Sequence, residues 1–276
     1  VERLVQCALD LGVNFFDHAD IYGGGRSERL FGEALARHPE WRERMVIQTK
    51  CAIVPGQRYD FSYDHIVDSV NQSLERLHTD HVEILLLHRP DALCDPQEVA
   101  RAFDDLYEAG KVKYFGVSNH TPLQILLLEK YLKHKIVINQ LQLSIVHSVI
   151  IDSGLNMNMT EAFAQDKDGG VLDWCRLNDV QIQAWSIVQA SWADGTFLNN
   201  PKYGRLNEAL ERIAARYGVS KATIATAWIL RHPARIQAIA GTTSCDHLKE
   251  NVDACRIELT RQEWYDLYMA AEKPLP

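Results

Sequence analysis

The chain alternates short runs of apolar, β-branched residues with longer stretches in which apolar side chains recur at helical spacing. This alternation is typical of βα units arranged around a parallel sheet. Seven runs are predicted to be strands: Val13–Asp17, Met45–Cys51, Val82–His88, Tyr114–Ser118, Val137–Leu143, Ile182–Trp185 and Gln237–Ala240. A (β/α)8 TIM barrel has eight such units, so the pattern predicts this α/β fold with one strand unaccounted for.

Several of the intervening helices carry recognisable start signals. Asp95 and Thr121 each stand directly before a proline, which combines a capping side chain with a residue that suits the first helical position. Thr260 and Glu263 have the spacing of a capping box, and Ser220 is predicted to cap another helix. These signals predict that helices cover the sheet.

The chain opens on a helical pattern, because Val1, Leu4, Val5 and Ala8 are spaced for one helical face. We therefore expect the first barrel strand to lie upstream of residue 1, which makes the domain N-terminally incomplete. The alternative is an open doubly wound sheet, which needs no eighth strand. Its dinucleotide-binding form carries G-x-G-x-x-G, and the glycines that begin at Gly23 lack the third member of that motif.

Two stretches rich in glycine and asparagine interrupt the alternation, at Ile150–Gly170 and Asp194–Tyr203, on either side of the sixth predicted strand. Loops of this length in compact domains are usually functional lids or disordered. Trp192 and Phe197 either line an apolar pocket there or pack the loop against the barrel. No linker-like change of composition divides the chain, so residues 1–276 are expected to form a single domain.

Composition narrows the class of protein. The chain has 29 Lys and Arg against 37 Asp and Glu, a formal net charge of −8, which argues against partners such as nucleic acid or anionic membrane. The apolar runs fall short of the roughly 18 residues that a membrane-spanning helix needs. Six scattered cysteines form no C-x-x-C pair, and no secretion signal is recognisable. We therefore expect a cytoplasmic location with reduced thiols.

Ionisable side chains stand at the carboxyl ends of the first three predicted strands, on the face where barrel enzymes keep their active sites. These are Asp17, Lys50 and His88, and Tyr22 follows Asp17 in a turn next to glycines. A phenol is a poor proton donor at neutral pH unless a cation such as Lys50 stabilises its phenolate. A nearby carboxylate keeps a buried lysine charged, and His88 can orient a carbonyl oxygen beside Tyr22. Taken singly, each of these residues has an ordinary structural explanation; Lys50, for example, could be a solvated residue at the rim of the barrel. Together the four residues favour acid–base chemistry.

With these residues the chain resembles the aldo-keto reductase superfamily, and in particular its bacterial oxidoreductases with a His-Arg-Pro-Asp motif. The resemblance rests on Asp17-His18-Ala19-Asp20-Ile21-Tyr22-Gly23, Lys50, Leu86-Leu87-His88-Arg89-Pro90-Asp91, Gly116-Val117-Ser118-Asn119 and Asn139-Gln140. It covers essentially the whole chain. It implies an (α/β)8 barrel that binds NADP(H) and reduces aldehydes or ketones to alcohols. Asp17, Tyr22, Lys50 and His88 match the catalytic tetrad of the family, with Tyr22 as the proton donor to a small carbonyl substrate.

The resemblance also implies a cofactor site. Ser118, Asn119 and Gln140 match the positions that hydrogen-bond the nicotinamide carboxamide, and amide side chains suit that task. Trp185, which Ser186 follows, stands where the family usually carries a tyrosine that stacks on the nicotinamide ring.

The segment expected to bind the adenosine 2′-phosphate departs from the family pattern. Gly241 replaces the usual lysine and His247 stands at an arginine position, so the bidentate fork of an arginine is lost. Hydroxyl groups there can still donate hydrogen bonds to a phosphate. The candidate residues of this segment are Gly241, Thr242, Thr243, His247, Glu250 and Asn251. NAD(H) is therefore possible as the cofactor in place of NADP(H).

Two other functions stay open. Potassium-channel β-subunits resemble the same superfamily and act as cofactor-binding regulatory or docking barrels, so the fold alone does not establish turnover. A metal-dependent hydrolase is a third hypothesis, prompted by His18, Asp20 and His88, although His18-Ala19-Asp20 is not the His-x-His pattern of such sites. The physiological substrate and the oligomeric state do not follow from the sequence.

Overall fold

The structure, a computed structural model, describes residues 1–160, 162–273 and 275. It divides into two compact units, residues 1–139 and residues 140–276. The prediction of a single domain stays a prediction.

All seven predicted strands are present, and their bounds differ from the predicted ones by at most two residues. In chain order they are β1 (Phe15–Asp17), β2 (Val46–Cys51), β3 (Val82–Leu87), β4 (Val112–Ser118), β5 (Ile136–Gln142), β6 (Gln181–Trp185) and β7 (Gln237–Ala238). Two short antiparallel ribbons accompany them, Ile53–Val54 with Arg58–Tyr59 and Gln189–Ser191 with Gly195–Thr196.

Eleven α-helices occur in the described residues. They are α1 (Glu2–Asp10), α2 (Arg26–Arg37), α3 (Tyr63–Leu77), α4 (Pro96–Glu108), α5 (Pro122–Glu129), α6 (Val149–Leu155), α7 (Val171–Leu177), α8 (Gly204–Tyr217), α9 (Lys221–Leu230), α10 (Cys245–Asp253) and α11 (Arg261–Ala270). Short 3₁₀ turns lie at Pro39–Arg44, Ala162–Ala164, Pro201–Tyr203 and Ala254–Arg256. Among the residues that the structure describes, no helix is long and apolar enough to cross a membrane.

In the first unit, parallel strands follow chain order from β1 to β5, with residues 136–139 of β5 at the end. One face of this sheet packs its own apolar cluster around Ile84, Leu86 and Ile138. Helices whose apolar residues lie on one side cover the other face. The predicted caps are confirmed here, because the Asp95 side chain accepts a hydrogen bond from the amide of Gln97 and Thr121 forms a capping box with Gln124.

In the second unit, the end of β5 is followed by β6 and β7, and β6 and β7 pair in parallel. The core centres on Trp228 and Trp264, whose rings stack with centroids 4.7 Å apart. Each indole N–H donates to the backbone carbonyl of the other tryptophan, at 3.0 Å in both cases. The predicted caps Ser220 and Thr260 are also confirmed.

The two stretches expected to be loops contain some regular structure. Residues 150–170 include most of α6. The first turn of that helix is held by the buried Asp152, which accepts a hydrogen bond from the Ser148 hydroxyl at 2.7 Å. The expectation of a loop is wrong there; Glu161 of this stretch lies outside the described residues. Phe197 is fully buried in the core of the second unit and packs the loop, whereas Trp192 is 85% exposed.

Candidate active site

Lys50 is the centre of a hydrogen-bonded group in the first unit. Side chains alternate along β2, so Gln48 and Lys50 point to the same face of the sheet, and both reach Asp17 at the end of β1. The Lys50 ammonium donates to Asp17 Oδ2 at 2.6 Å, to the carbonyl oxygen of His18 at 2.9 Å and to the Tyr22 hydroxyl at 3.3 Å. Lys50 is 0% exposed, so its interpretation as a solvated rim residue is wrong.

Tyr22 reaches this group from the turn that joins β1 to α2. The turn is closed by hydrogen bonds from the Tyr22 amide to the carbonyl of Ala19, at 3.1 Å, and from the Ser27 amide to the carbonyl of Tyr22, at 3.2 Å. It needs Gly23–Gly25, because all three adopt positive φ angles of 58° to 80°. Tyr22 is 37% exposed, so its phenol faces both the buried cation of Lys50 and the solvent.

His88 stands next to Tyr22 at the end of β3. Its amide donates to the carbonyl of Cys51 at 2.9 Å, and its ring meets the Tyr22 ring edge-on with centroids 5.8 Å apart. Burial, together with the nearby charge of Lys50, lowers the pKa of His88 to about 4. The imidazole is therefore neutral at pH 7. Its buried Nδ1 finds no hydrogen-bond partner among the described residues.

The four residues of the predicted tetrad thus lie together in the first unit. Gln48 also belongs to this group, although it was not among the predicted site residues. Its side-chain amide donates to Asp17 Oδ1 at 2.5 Å and occupies the oxygen that Lys50 does not use. The signal was a polar residue inside an apolar run, two positions before Lys50 and therefore on the same face of the strand.

Ser118 and Asn119 follow at the end of β4 in the same unit. Ser118 is buried, and its hydroxyl accepts a hydrogen bond from the Asn119 side-chain amide at 2.8 Å. Asn119 has a positive φ of 59°, a conformation that asparagine tolerates better than most residues. His120 Nδ1 lies 3.0 Å from the Ser118 carbonyl oxygen, and the Asn139 side chain donates to the His120 carbonyl at 2.9 Å. These contacts fix the backbone that carries Ser118 and Asn119.

In the second unit, Gln140 belongs to a row of amide side chains that crosses β5, β6 and β7. The Gln140 amide donates to Gln183 at 3.0 Å, and the Gln183 amide donates to Gln237 at 3.0 Å. Trp185 ends β6 and is partly exposed. Ser186 after it has a positive φ of 57°, and its hydroxyl donates to the Gln189 side chain at 2.6 Å. The row of amides fixes the orientation of the Gln140 side chain.

The residues predicted to bind a 2′-phosphate lie just before α10 and along it, in the second unit. Gly241, Thr243 and His247 are exposed, whereas Thr242, Glu250 and Asn251 are partly buried. Ser244 caps the helix by accepting a hydrogen bond from the His247 amide. Asn251 accepts a hydrogen bond from the Thr226 hydroxyl and donates to the His247 carbonyl, both at 2.7 Å. The Asn251 side chain therefore ties α10 to α9.

The residues that prompted the metal-hydrolase hypothesis do not form a ligand set. Within the described ranges, no group of three or more His, Cys, Asp or Glu side chains is arranged to hold a metal ion. The His18 ring packs edge-on against Phe31, with centroids 4.4 Å apart. Burial lowers the pKa of His18 to about 4.

Comparisons with known proteins give a consistent result. The profile described as "Aldo/keto reductase family" matches residues 1–271. The chain is similar to a 6-dehydroglucose reductase of Agrobacterium fabrum, with 36% identity over 98% of this chain and 87% of the relative. It is also similar to the oxidoreductase YdhF of Escherichia coli, with 38% identity over 95% of this chain and 84% of the relative.

A solved structure shares the fold. The crystal structure of a thermostable aldo-keto reductase, Tm1743, in complex with the inhibitor epalrestat superposes with a TM-score of 0.76 and 27% identity. The match covers 98% of this chain and 86% of that one. The fold of these proteins is a (β/α)8 barrel, so the predicted fold class is confirmed.

Proposed function

The chain belongs to the aldo/keto reductase family, and on that premise we propose that it reduces aldehydes or ketones with NADP(H), with Tyr22 as the proton donor. Reduction of carbonyl substrates, or the reverse oxidation of the alcohols, is the activity of the family. One observation carries the finer proposal: the buried Lys50 ammonium contacts both the Asp17 carboxylate and the Tyr22 hydroxyl.

The donor set fits a nicotinamide cofactor. In the first unit, Ser118 and Asn119 provide one hydroxyl and one amide side chain, whose donors and acceptors suit a carboxamide. In the second unit, Gln140 provides a further amide side chain. Trp185, with Ser186 after it, offers an aromatic face for the ring. When bound, the cofactor supplies a hydride to the carbonyl carbon of the substrate.

The residues of the first unit supply and control the proton that is transferred to the substrate. Tyr22 donates its hydroxyl proton to the carbonyl oxygen, which completes the alcohol, and Lys50 stabilises the phenolate that remains. Asp17 holds the ammonium of Lys50 in place. His88, neutral at pH 7 because burial lowers its pKa to about 4, orients the carbonyl oxygen with a ring N–H. Tyr22 regains a proton from solvent, to which it is partly exposed.

For the adenosine end we propose a site without an arginine fork. The exposed Thr243 hydroxyl and the first-turn amides of α10, which Ser244 caps, are hydrogen-bond donors suited to a phosphate. Gly241, Thr242, His247, Glu250 and Asn251 complete the proposed segment. Because hydroxyls and amides carry no full positive charge, NADPH is expected to be preferred only modestly, and NADH is expected to support turnover.

We further propose a hydroxylated aldehyde as the substrate class, because relatives from Agrobacterium fabrum and Novosphingobium aromaticivorans are named 6-dehydroglucose reductase. The test compares kcat/KM for 6-dehydroglucose with kcat/KM for an apolar aldehyde of similar size. A preference for the apolar aldehyde contradicts this assignment.

A cytoplasmic location is also proposed, since the cysteines form no disulfide within the described residues.

The mechanism is tested by Tyr22→Phe, which removes the proton donor and keeps the ring. We expect kcat for carbonyl reduction with NADPH to fall by at least a hundredfold, while quenching of tryptophan fluorescence still reports cofactor binding. Tyr114→Phe is the matched control, because Tyr114 lies on β4 and is exposed.

Wild-type turnover by Tyr22→Phe contradicts the proposed mechanism. Tight binding of NADPH by the unmodified protein, with negligible turnover of every aldehyde in a panel, supports the regulatory alternative instead.

A further inference from the structure

Glu28 is a fully buried carboxylate close to the site, and the proposed chemistry does not use it. It lies in the first turn of α2 and is 0% exposed. Its Oε1 accepts a hydrogen bond from the Thr49 hydroxyl at 2.6 Å, and its Oε2 accepts one from Arg76 Nε at 2.7 Å. A carboxylate removed from water costs stability unless it is paired in this way, so its position calls for a physical reason.

Thr49 connects Glu28 to the site. It immediately precedes Lys50 on β2, and because side chains alternate along a strand, Thr49 points to the face opposite to Lys50. A force on the Thr49 side chain therefore acts on the same stretch of backbone that carries the Lys50 ammonium.

The other end of the connection is the turn that carries Tyr22. The Ser27 amide donates to the Tyr22 carbonyl at 3.2 Å, and the Arg26 amide donates to the Gly23 carbonyl at 3.3 Å, so the turn runs directly into the first residues of α2. Because Glu28 belongs to that same helical turn, the bond between Glu28 and Thr49 links the element that carries Tyr22 to the strand that carries Lys50.

Arg76 closes the arrangement from the last turn of α3. Its side chain lies over Gly25, where an added Cβ atom would stand 3.0 Å from Arg76 Cδ, and its Nη2 donates to the Ser73 hydroxyl at 3.1 Å. The guanidinium holds Oε2 of Glu28 in place, which leaves Oε1 as the acceptor for Thr49.

We propose that Glu28 is a positioning residue that acts through Thr49 and sets the separation of the Tyr22 hydroxyl and the Lys50 ammonium. This inference rests on the proposed function, in which those two groups carry the proton transfer. A displacement of about 1 Å in such a pair costs roughly a hundredfold in rate, so a smaller change in the turn is expected to cost about tenfold.

The test removes the connection without touching the site. Thr49→Val keeps the shape of the side chain and removes the hydroxyl donor, whereas Thr49→Ser keeps the donor. We expect kcat to fall about tenfold in Thr49→Val, with the dissociation constant of NADPH within twofold of wild type. The alkaline limb of the kcat profile is expected to move to higher pH, because Lys50 then stabilises the phenolate less. Thr49→Ser is expected to keep the wild-type kcat and pH profile.

Glu28→Gln is the conservative variant at the other end of the bond. Its carbonyl oxygen can accept from Arg76 while its amide donates to the Thr49 hydroxyl, so kcat is expected to stay within about threefold of wild type. For Thr49→Val, a purely structural role predicts instead that stability falls with no change in the pH profile.

A folded Thr49→Val enzyme with wild-type kcat and pH profile overturns the inference. If that variant does not fold, Thr49→Ala takes its place with the same two outcomes. Tyr22→Phe is assayed in parallel: if it is active the proposed function fails, and if it is inactive while Thr49→Val is normal only the positioning role fails.

Discussion

Lys50 is a cation that the first unit surrounds completely, and its three acceptors explain how it stays there. The Asp17 carboxylate, the His18 carbonyl and the Tyr22 hydroxyl all lie within 3.3 Å of Nζ. Desolvating an ammonium costs several kcal/mol, which only close, well-oriented partners offset. Because Gln48 occupies the other oxygen of Asp17, the carboxylate cannot turn away from Lys50.

Asp17→Asn is expected to leave the buried charge of Lys50 without a counter-ion. Breaking a buried ion pair costs about 3 to 5 kcal/mol, so the free energy of unfolding in urea should fall by roughly that amount, and kcat should fall at least tenfold. Adding Lys50→Met removes the charge, so the double variant should regain at least half of the lost stability and show no turnover. If the second substitution lowers stability further, the ion pair is not the cause.

The sequence predicted the tetrad because each member stands at or just after the end of an apolar run, where a polar residue is conspicuous. Gln48 and Glu28 were not predicted to take part. Gln48 lies inside the run that forms β2. Glu28 lies on a helix, and its two hydrogen-bond partners are 21 and 48 residues away along the chain. The pairings of Glu28 across such separations leave no local pattern in the sequence, whereas the only sequence signal of Gln48 is its polar side chain inside an apolar run.

The contact between α2 and α3 in the first unit depends on Gly32. A Cβ atom added at Gly32 would lie 2.2 Å from the Arg76 carbonyl oxygen and 2.7 Å from the Leu77 carbonyl carbon. Both are backbone atoms, which cannot rotate away. Gly32 therefore sets the distance between the helix that carries Glu28 and the helix that carries Arg76.

Gly32→Ala is expected to push α2 away from α3 and to lower the free energy of unfolding by about 1 to 3 kcal/mol, the usual cost of overpacking. This loss occurs although alanine favours a helix more than glycine does. Gly204→Ala, at the first residue of α8, is the matched control because no atom lies within 4 Å of the added Cβ. It should leave stability unchanged or raise it by up to about 1 kcal/mol. Equal effects of the two substitutions in urea contradict the steric explanation.

At the scale of elements, the strands and the helix caps were predictable because apolar runs and capping residues act locally. Helix α6 was not, because it has only seven residues and its first turn is held by a buried contact. Asp152 pairs with Lys273 at 2.6 Å and accepts from Tyr268 at 3.0 Å. Those partners lie more than a hundred residues further along the chain, so only the folded structure brings them together.

For the whole molecule, buried titratable groups matter more to acid stability than the net charge of −8. Burial lowers the pKa values of His18, His88 and His120 to about 4, below the value of about 6.5 for an exposed histidine. Asp20 is the opposite case, because burial and the charge of Glu28 raise its pKa to about 7. The folded state therefore keeps three histidines neutral and one carboxyl protonated across mildly acidic pH.

These shifts predict that the protein loses stability steeply between about pH 6.5 and pH 4. In that window the unfolded chain binds three histidine protons that the folded chain does not, and the folded chain binds one extra proton at Asp20. The difference of about two protons gives a loss of about 3 kcal/mol for each pH unit of acidification. Urea unfolding at pH 7, 6 and 5 measures this slope. His120→Gln removes one of the three groups and should reduce the slope by roughly half. A slope unchanged by that substitution contradicts the assignment of the histidines as the cause. A stability that does not depend on pH in this range contradicts it as well.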